Sequence, residues 1–418
     1  MDVTTSPWRA AAAIEPARFA GVRRQAIFEC CKWDPQVEDV ATLAPYPLVL
    51  RRETWRGLAV AAEALAAETL AAEAELVSRP ELHTELGLPR AIRSALRRAG
   101  RRGAARSAAR VMRFDFHATP EGWQISEVNS DVPGGFNEAS GFTRLMAAHF
   151  PGTEPAGDPA GRLADAIAAT VSAAASVALV HATAYTDDRQ VMVFLARELE
   201  ARGLRPVLTG PDHLRWQDGR ARLASDAFSG PLDFLLRFFP AEWLPNLPRT
   251  SGWTHFFCGS ETPASNPAYA LLTQSKRFPL VWERLLAALP TWQRLLPETR
   301  DPRDASWRYD EGWVLKPALG RVGDLIGVAG ATEDKEWKVI HREVRRHPRH
   351  WVAQRRFTAV PLQTAEGSVY PCVGVYTVDG HAAGAYGRAA SRPRIDHLAR
   401  DLAVLVERES NDGQCRAV

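Results

Sequence analysis

The sequence lacks the features that would direct a chain to a membrane or an oxidising compartment. No uninterrupted apolar run approaches the roughly twenty residues needed to span a bilayer. The opening residues, Met1 to Ser6, contain no basic region followed by an apolar stretch, so we expect no secretory signal. The five cysteines are scattered apart from Cys30 and Cys31, and no spacing suggests zinc or a disulfide framework. We therefore expect a cytoplasmic protein with no membrane partner.

The chain also lacks a strong excess of charge. Its formal charge of +3 over 418 residues is too small to argue for a nucleic-acid partner. Hydrophobic residues make up 46% of the chain and charged residues 24%, which is ordinary for a soluble globular protein. Arginines are dense between residues 90 and 112. Solvated helix faces balanced by upstream glutamates explain them better than a polyanion site, but their role stays open. The oligomeric state also stays open, with a homodimer among the options.

A chain of 418 residues is long enough for two or three domains, or for one large enzyme with subdomains. Its composition divides it into several regions. Residues 1–110 should be mainly helical, because residues 55–77 are rich in Ala, Leu and Glu. Beyond a joint rich in Gly and Pro, a strand, a helix and a second strand are expected at 177–182, 189–201 and 205–209. This pattern resembles half a Rossmann-like unit within an inserted α/β subdomain at 151–255. No Gly-x-Gly-x-x-Gly follows the first strand, so dinucleotide binding is not predicted. Residues 408–418 are polar, and we expect a disordered tail.

The most informative stretch runs from Arg113 to Asp131. Apolar and polar residues alternate with a period of two in Arg113–His117 and again after Trp123, and turn-forming residues stand between. This pattern predicts a β-hairpin. With the turn centred on Glu121, Asp115 faces Glu127 and Arg113 faces Asn129, all on one side of the hairpin.

Two carboxylates directly across a hairpin are unfavourable unless something compensates them. A divalent cation held by Asp115, Glu127 and the amide oxygen of Asn129 would do so, and an all-oxygen set suits Mg²⁺. The alternative is a surface hairpin whose carboxylates pair with arginines.

A second group of candidate residues lies in the last third of the chain. Leu271–Pro279 is predicted to be a helix with Lys276 at its base. Trp313–Val328 is predicted to be a strand that contains Lys316, then a glycine-bearing loop and a second strand. Phosphate groups need cations and close backbone approach, which lysines and glycines supply. The P-loop sequence Gly-Lys-Ser/Thr is missing. Taken singly, each lysine could be a surface residue and the loop a plain hairpin turn.

Two further segments complete this group. Trp351–Phe357 is predicted to be an edge strand on which Gln354 could hydrogen-bond a flat base. Arg388 follows a glycine-bearing strand at Gly384. Together with the carboxylate hairpin, these residues point to a nucleotide and metal site.

The order of these motifs resembles the glutathionylspermidine synthase family, carboxylate–amine ligases whose ATP-grasp domain carries its metal motif before its nucleotide lysines. The resemblance covers roughly residues 110–390, and we expect it to include the opening third of the chain. It is carried by Arg113–Phe116, Glu127–Pro133, Phe239–Trp243, Ser275–Lys276, Lys316–Gly323, Gln354 and Val373–Arg388. It implies an α/β (α+β) ATP-grasp fold with motifs in permuted order, whose catalytic core would comprise residues 111–150 and 256–407.

The resemblance also implies roles for individual residues and the use of ATP and Mg²⁺. The implied magnesium ligands are Asp115, Glu127 and Asn129. The implied nucleotide contacts are Lys276, Lys316, Gly320, Gly323 and Gln354. The arginines implied to surround the acyl phosphate and the acid substrate are Arg113, Arg321 and Arg388.

Some positions depart from the family pattern. Val132 and Gly134 stand where the family places hydroxyl residues that help to hold its peptide substrate, and Ala389 stands where it has a glutamate. The resemblance therefore implies an ATP-dependent ligase that joins a small acid or peptide to an amine, and it does not identify either substrate. The alternatives are a small-molecule kinase on the same scaffold and a non-catalytic nucleotide-binding protein. The retained carboxylates and lysines argue against the second.

Overall fold

Helices and strands alternate along the chain in a mixed α/β fold. The computed structural model describes residues 6–33, 36–37, 40–102, 108–224, 228–320 and 325–409. The α-helices within these ranges are α1 Pro16–Phe28, α2 Arg52–Ser78, α3 Arg90–Arg102, α4 Thr143–Ala147, α5 Pro159–Ala168, α6 Thr186–Glu200, α7 His255–Cys258, α8 Leu271–Gln274, α9 Pro290–Leu295 and α10 Asp334–Arg346.

The strands within the same ranges are numbered in chain order. They are β1 Trp8–Ala10, β2 Gln36–Val37, β3 Val40–Ala41, β4 Leu48–Leu50, β5 Val111–Thr119, β6 Gly122–Asn129, β7 Thr153–Pro155, β8 Ser176–Val180, β9 Arg205–Thr209, β10 Leu214–Gln217, β11 Arg220–Ala224, β12 Ser229–Pro231, β13 Phe234–Arg237, β14 Ala264–Ser265, β15 Thr299–Arg300, β16 Trp313–Pro317, β17 Trp351–Arg355, β18 Leu362–Thr364, β19 Gly367–Val378, β20 His381–Ala390, β21 Arg400–Leu402 and β22 Val404–Glu407.

The long helix predicted at residues 55–77 is confirmed as α2. Its buried positions, among them Leu58, Leu65 and Leu76, recur at helical spacing on one face. That face packs against the main sheet and against α8 and α9. Burial of each leucine stabilises the fold by about 1.5–3 kcal/mol. The helix thus fixes the main sheet relative to the segment that carries Lys276.

The main sheet is antiparallel and contains the predicted hairpin as β5 and β6. Its strand order is β21-β20-β19-β5-β6, with β18 paired to β19. Arg113 lies opposite Asn129, as predicted. The predicted direct opposition of Asp115 and Glu127 is wrong. Phe114 pairs with Val128, but Phe116 pairs with Ile125. Ser126 and Glu127 therefore share the position opposite Asp115 in a β-bulge.

A three-stranded antiparallel sheet of order β15-β17-β16 lies on the other side of the candidate site. The prediction of an edge strand at residues 351–357 is wrong, because β17 pairs with β15 on one side and β16 on the other. The second strand predicted after the glycine loop is reduced to a single bridge between Leu315 and Gly327. This sheet and α10 share a hydrophobic core that includes Trp313, Ile340 and Trp351.

Residues 151–255 contribute most of a parallel sheet of order β14-β13-β8-β9. The predicted strands near residues 177 and 205 and the helix between them are confirmed as β8, β9 and α6. A further sheet of order β1-β4-β22-β7 joins distant parts of the chain. Among the described residues, no helix has the length and apolar character that a membrane crossing requires.

Candidate active site

The candidate site is a cleft of about 450 Å³ whose walls come from the main sheet and the three-stranded sheet. This volume is within the range of small-molecule sites. The predicted site residues that line it are Arg113, Asp115, Glu127, Asn129, Lys316, Gln354 and Arg388. Lys276 and Gly320 reach it through the contacts described below. Arg321 and Gly323 lie outside the described residues.

Arg113 and Asp115 form a two-pronged ion pair on β5. Nε and Nη2 of Arg113 donate to the two carboxylate oxygens of Asp115, at 2.7 and 3.0 Å. Nη1 of Arg113 donates to the carbonyl of Gly134 at 2.7 Å. The guanidinium also lies over the rings of Tyr386, 5.2 Å from the centroid, and Tyr376, 5.9 Å away. Burial opposes its charge, but the neighbouring Asp115 holds the pKa of Arg113 well above its usual value. The arginine is a fixed cation.

Glu127 and Lys276 form the second ion pair of the cleft, 3.0 Å apart. The predicted helix around Lys276 is shorter than expected, since α8 ends at Gln274. Lys276 lies just beyond the end of α8 and is held there by two hydrogen bonds. The amide of Lys276 donates to the carbonyl of Ala318, and Nζ of Lys276 donates to the carbonyl of Gly320 at 3.2 Å. Burial favours the neutral form of Glu127, but Lys276 and Lys316 lower its pKa to about 2.

Lys316 projects from β16 toward the hairpin. Its Nζ donates to the side-chain oxygen of Gln354 at 2.7 Å and to the carbonyl of Ser126 at 3.0 Å. Burial lowers the pKa of Lys316 to about 8, although Glu127 raises it. Gln354 is fixed in turn, because its amide donates to the hydroxyl of Thr299. Gln354 therefore faces the cleft from the middle of its sheet.

Arg388 enters the cleft from β20. Its Nη2 donates to the carbonyl of Asp396 at 2.6 Å, while its Nε is buried with no hydrogen-bond partner among the described residues. The segment that supplies Asp396, residues 391–399, also lines the cleft. Arg394 of this segment binds Glu336 on α10 through both terminal nitrogens, each at 2.9 Å. This segment therefore links the two walls of the cleft.

Sequence reasoning missed several residues that line the cleft. His117 lies on the same face of β5 as Arg113 and Asp115, so the two-residue period could have identified it. Burial lowers its pKa to about 3, and Lys316 adds to this effect. Cys372 and Tyr386 lie on β19 and β20, and no motif points to them. Burial raises the pKa of both groups.

The predicted magnesium ligands come together in part. Nδ2 of Asn129 donates to Asp115 at 3.1 Å, which leaves the amide oxygen available as a ligand. Each carboxylate is already paired, Asp115 with Arg113 and Glu127 with Lys276. No group of three or more His, Cys, Asp and Glu side chains in the described ranges could hold a metal ion. The trio, with two carboxylates and an amide, has the oxygen chemistry that Mg²⁺ prefers, and Lys276 contacts one carboxylate oxygen of Glu127, Oε2.

Comparison with known proteins decides the family. The model of the family described as glutathionylspermidine synthase preATP-grasp matches residues 47–407. The chain belongs to this family. The match confirms the resemblance drawn from the motifs, including most of the opening third of the chain, and it continues to the last strand, β22.

Solved structures give a more distant likeness. A glutathione synthetase-like effector from Globodera pallida is 12% identical with a TM-score of 0.63, and the match covers 94% of this chain and 97% of that chain. A putative gamma-glutamylcysteine synthetase from Methylobacillus flagellatus KT is 14% identical, with 78% of this chain and 87% of that chain covered. The TM-score of this second structure is 0.42, too low to indicate a shared fold, whereas the TM-score of 0.63 for the first indicates that the two chains share a fold. No curated protein matches the chain by sequence.

Proposed function

We propose that this member of the glutathionylspermidine synthase family is an ATP-dependent ligase with a permuted ATP-grasp core. It would form an amide bond between a small carboxylic acid and an amine. One observation carries the proposal: both predicted phosphate lysines converge on neighbouring residues of β6. Lys276 contacts the carboxylate of Glu127, and Lys316 contacts the carbonyl of Ser126. The nucleotide candidates and the predicted metal ligands therefore meet at one point, although they are far apart in sequence.

Each part of the cleft has chemistry suited to one part of the reaction. Lys276 and Lys316 supply cations for phosphate oxygens, and the fixed amide of Gln354 can hydrogen-bond a base. Arg113 and Arg388 supply guanidinium groups that can hold a carboxylate. Glu127, Asp115 and Asn129 would hold Mg²⁺, which neutralises charge on the phosphates.

The reaction would follow from this placement. A carboxylate oxygen of the acid attacks the terminal phosphorus of ATP, and ADP leaves, which gives an acyl phosphate. The amine nitrogen then attacks the acyl carbon, and phosphate leaves as the amide forms. Arg113 and Arg388 would stabilise the negative charge on the acyl phosphate and on the tetrahedral adduct. An amine that arrives neutral needs little help from a general base.

Product analysis tests the proposal. The purified chain is supplied with ATP, Mg²⁺ and every pairing of an acid panel with an amine panel. The acids are the proteinogenic amino acids and short peptides including glutathione, and the amines are ammonia, diamines and spermidine. A ligase releases ADP and free phosphate in equal amounts only when acid and amine are both present. Mass spectrometry then detects the acid and amine joined with loss of one water. A phosphorylated product without free phosphate would instead establish a kinase.

A further inference from the structure

Lysine is scarce in this chain, and its few lysines have an unusual distribution. Only five of the 52 Lys and Arg residues are lysines. Lys335 and Lys338 are exposed on α10. The other three are Lys276, Lys316 and Lys32, and all three are buried at the cleft. Two of these are the predicted phosphate lysines, and Lys32 has no assigned role.

The backbone directs Lys32 into the cleft. Lys32 follows α1 at a tight turn in which Cys31 adopts a left-handed conformation, with φ of 56°. A non-glycine residue rarely adopts this conformation unless its surroundings enforce it. Here the amide of Lys32 donates to the carbonyl of Ala26, and the amide of Trp33 donates to the side chain of Gln190. The turn is therefore fixed on both sides of the lysine.

The ammonium group of Lys32 contacts two buried carboxylates. Its Nζ lies 2.6 Å from Oε1 of Glu138 and 3.3 Å from Oδ2 of Asp401. The other oxygen of Asp401, Oδ1, accepts a hydrogen bond from the hydroxyl of Tyr386 at 2.6 Å. Lys32 therefore sets the orientation in which Asp401 presents an oxygen to Tyr386.

Tyr386 passes this orientation on to Arg113. Its ring lies under the guanidinium of Arg113, and its edge approaches Gly135 so closely that a Cβ atom there would lie 2.8 Å from Cδ1. Tyr386 has little freedom to move as long as its hydroxyl stays on Asp401. A chain of contacts thus runs from Lys32 through Asp401 and Tyr386 to Arg113.

We propose that Lys32 is a positioning residue that acts through Asp401 and Tyr386 to hold Arg113 in place for the acid substrate. The inference rests on the proposed function, because it needs Arg113 to bind that acid. The proposed role of Lys32 differs from that of the two predicted phosphate lysines. The contacts of Lys276 and Lys316 described above do not include Asp401, Tyr386 or Arg113. Loss of Lys32 should therefore damage the acid step and leave ATP binding unchanged.

The test is a double-mutant cycle of Lys32→Met and Tyr386→Phe, with Lys335→Met as the control for loss of an exposed lysine. ATP affinity is measured by calorimetry. The kcat/KM for the acid is measured by ADP release at a saturating concentration of amine. The acid and the amine are the pair, from the same panels, that is fastest with the wild type. We expect each single variant to lose about 10–100-fold in kcat/KM for the acid, since small misplacements of a binding group have effects of this size. ATP affinity should stay within about twofold, and the double variant should be no worse than the poorer single variant.

Other outcomes would overturn the inference. Losses that multiply in the double variant would mean that Lys32 and Tyr386 act independently. An unchanged kcat/KM in Lys32→Met, with only a lower melting temperature, would make the lysine purely structural. Should Lys32→Met fail to fold, Lys32→Met combined with Glu138→Gln keeps the net charge of the cluster and takes its place. A wild-type chain that releases no ADP with any pair of acid and amine would instead refute the proposed function itself.

Discussion

Lys276 and Lys316 carry the same charge as Arg113 but are held in a different way. Lys276 and Lys316 contact single oxygens of Glu127, Gly320, Ser126 and Gln354 through one rotatable ammonium group. Arg113, by contrast, is fixed by both oxygens of Asp115, by a carbonyl and by two tyrosine rings. A point charge on a flexible stem can exchange partners when a phosphate arrives, whereas a planar guanidinium in a rigid frame is preorganised.

This difference suggests how the cleft divides its tasks. Under the proposed function, Lys276 and Lys316 would receive a highly charged ligand, and their present partners hold the ammonium groups until then. Arg113 would present a fixed cation to a carboxylate whose reacting oxygen has to be aligned. The hairpin of β5 and β6 connects the two sides, because it carries Arg113 and Asp115 on one strand and Ser126 and Glu127 on the other.

The largest effect is expected at Glu127, where this connection is made. Glu127→Gln keeps the shape but removes the negative charge that pairs with Lys276 and would bind Mg²⁺. ADP formation dependent on Mg²⁺ should fall by at least about 10²–10³-fold, the range for loss of one electrostatic group in an active site. Glu121→Gln, in the exposed turn of the same hairpin, is the control. Circular dichroism checks that both variants fold. Full activity in Glu127→Gln would refute the metal assignment.

The hairpin also shows how far sequence reasoning reaches. Alternating residues and turn chemistry correctly predicted β5, β6 and the pairing of Arg113 with Asn129. They could not predict the bulge at Ser126 and Glu127, since one extra residue leaves the alternation on each side intact. The bulge matters because it turns Glu127 toward Lys276 and away from direct opposition to Asp115.

Residues that depend on distant pairing were harder to predict. The segment around Gln354 has the sequence of a strand, but its central place depends on β15, a two-residue strand that begins at Thr299. No local pattern identifies so short a strand. The network of Lys32 was missed for the same reason, because Glu138 and Asp401 meet only after the chain has folded. Arg321 and Gly323 lie outside the described residues, so their predicted roles stay predictions.

The second largest effect is expected near Arg113, in the choice of acid substrate. Val132 and Gly134 both line the cleft beside Arg113, where the family resemblance implies hydroxyl groups. Without these donors, peptide oxygens of glutathione would be desolvated and unpaired, at about 1–3 kcal/mol each. We expect kcat/KM for glutathione to be roughly 10²–10³-fold below that for the preferred acid.

A gain-of-function variant provides the matched experiment. At Gly134 a Cβ atom would meet only ordinary contact, 3.7 Å from the ring of Phe238, so serine fits there. The double variant Val132→Ser, Gly134→Ser should raise kcat/KM for glutathione relative to the preferred acid. A wild-type chain that prefers glutathione with spermidine would contradict the argument from Val132 and Gly134, but it would not contradict the ligase proposal.

A smaller effect is expected on the lysine side. Neutralising Lys276 or Lys316 with methionine should weaken ATP binding by about 1.5–3 kcal/mol, the range for a charged hydrogen bond. This corresponds to roughly 10–150-fold in the dissociation constant. Calorimetric titration with ATP measures it, and Lys338→Met on the exposed face of α10 is the control. Unchanged affinity in both cleft variants would place the nucleotide elsewhere.

The smallest effect is expected in the pH dependence of ATP affinity, because a lysine can lose its proton in the range in which an arginine stays charged. Burial lowers the pKa of Lys316 to about 8, so the ammonium group loses its proton as the pH rises through this value. The attraction for phosphate is lost with the proton, and ATP affinity should therefore fall above pH 8, by at most about tenfold per pH unit for one linked proton. Below pH 8 the lysine stays charged, and the affinity for ATP should not change with pH wherever ATP itself keeps its charge.

The variant Lys316→Arg is the control, because a guanidinium keeps its charge throughout this pH range. Titration of both proteins by calorimetry between pH 7.5 and 9.5 compares their slopes. A flat profile in the wild type, or the same decline in both proteins, would show that the charge of Lys316 does not control nucleotide binding.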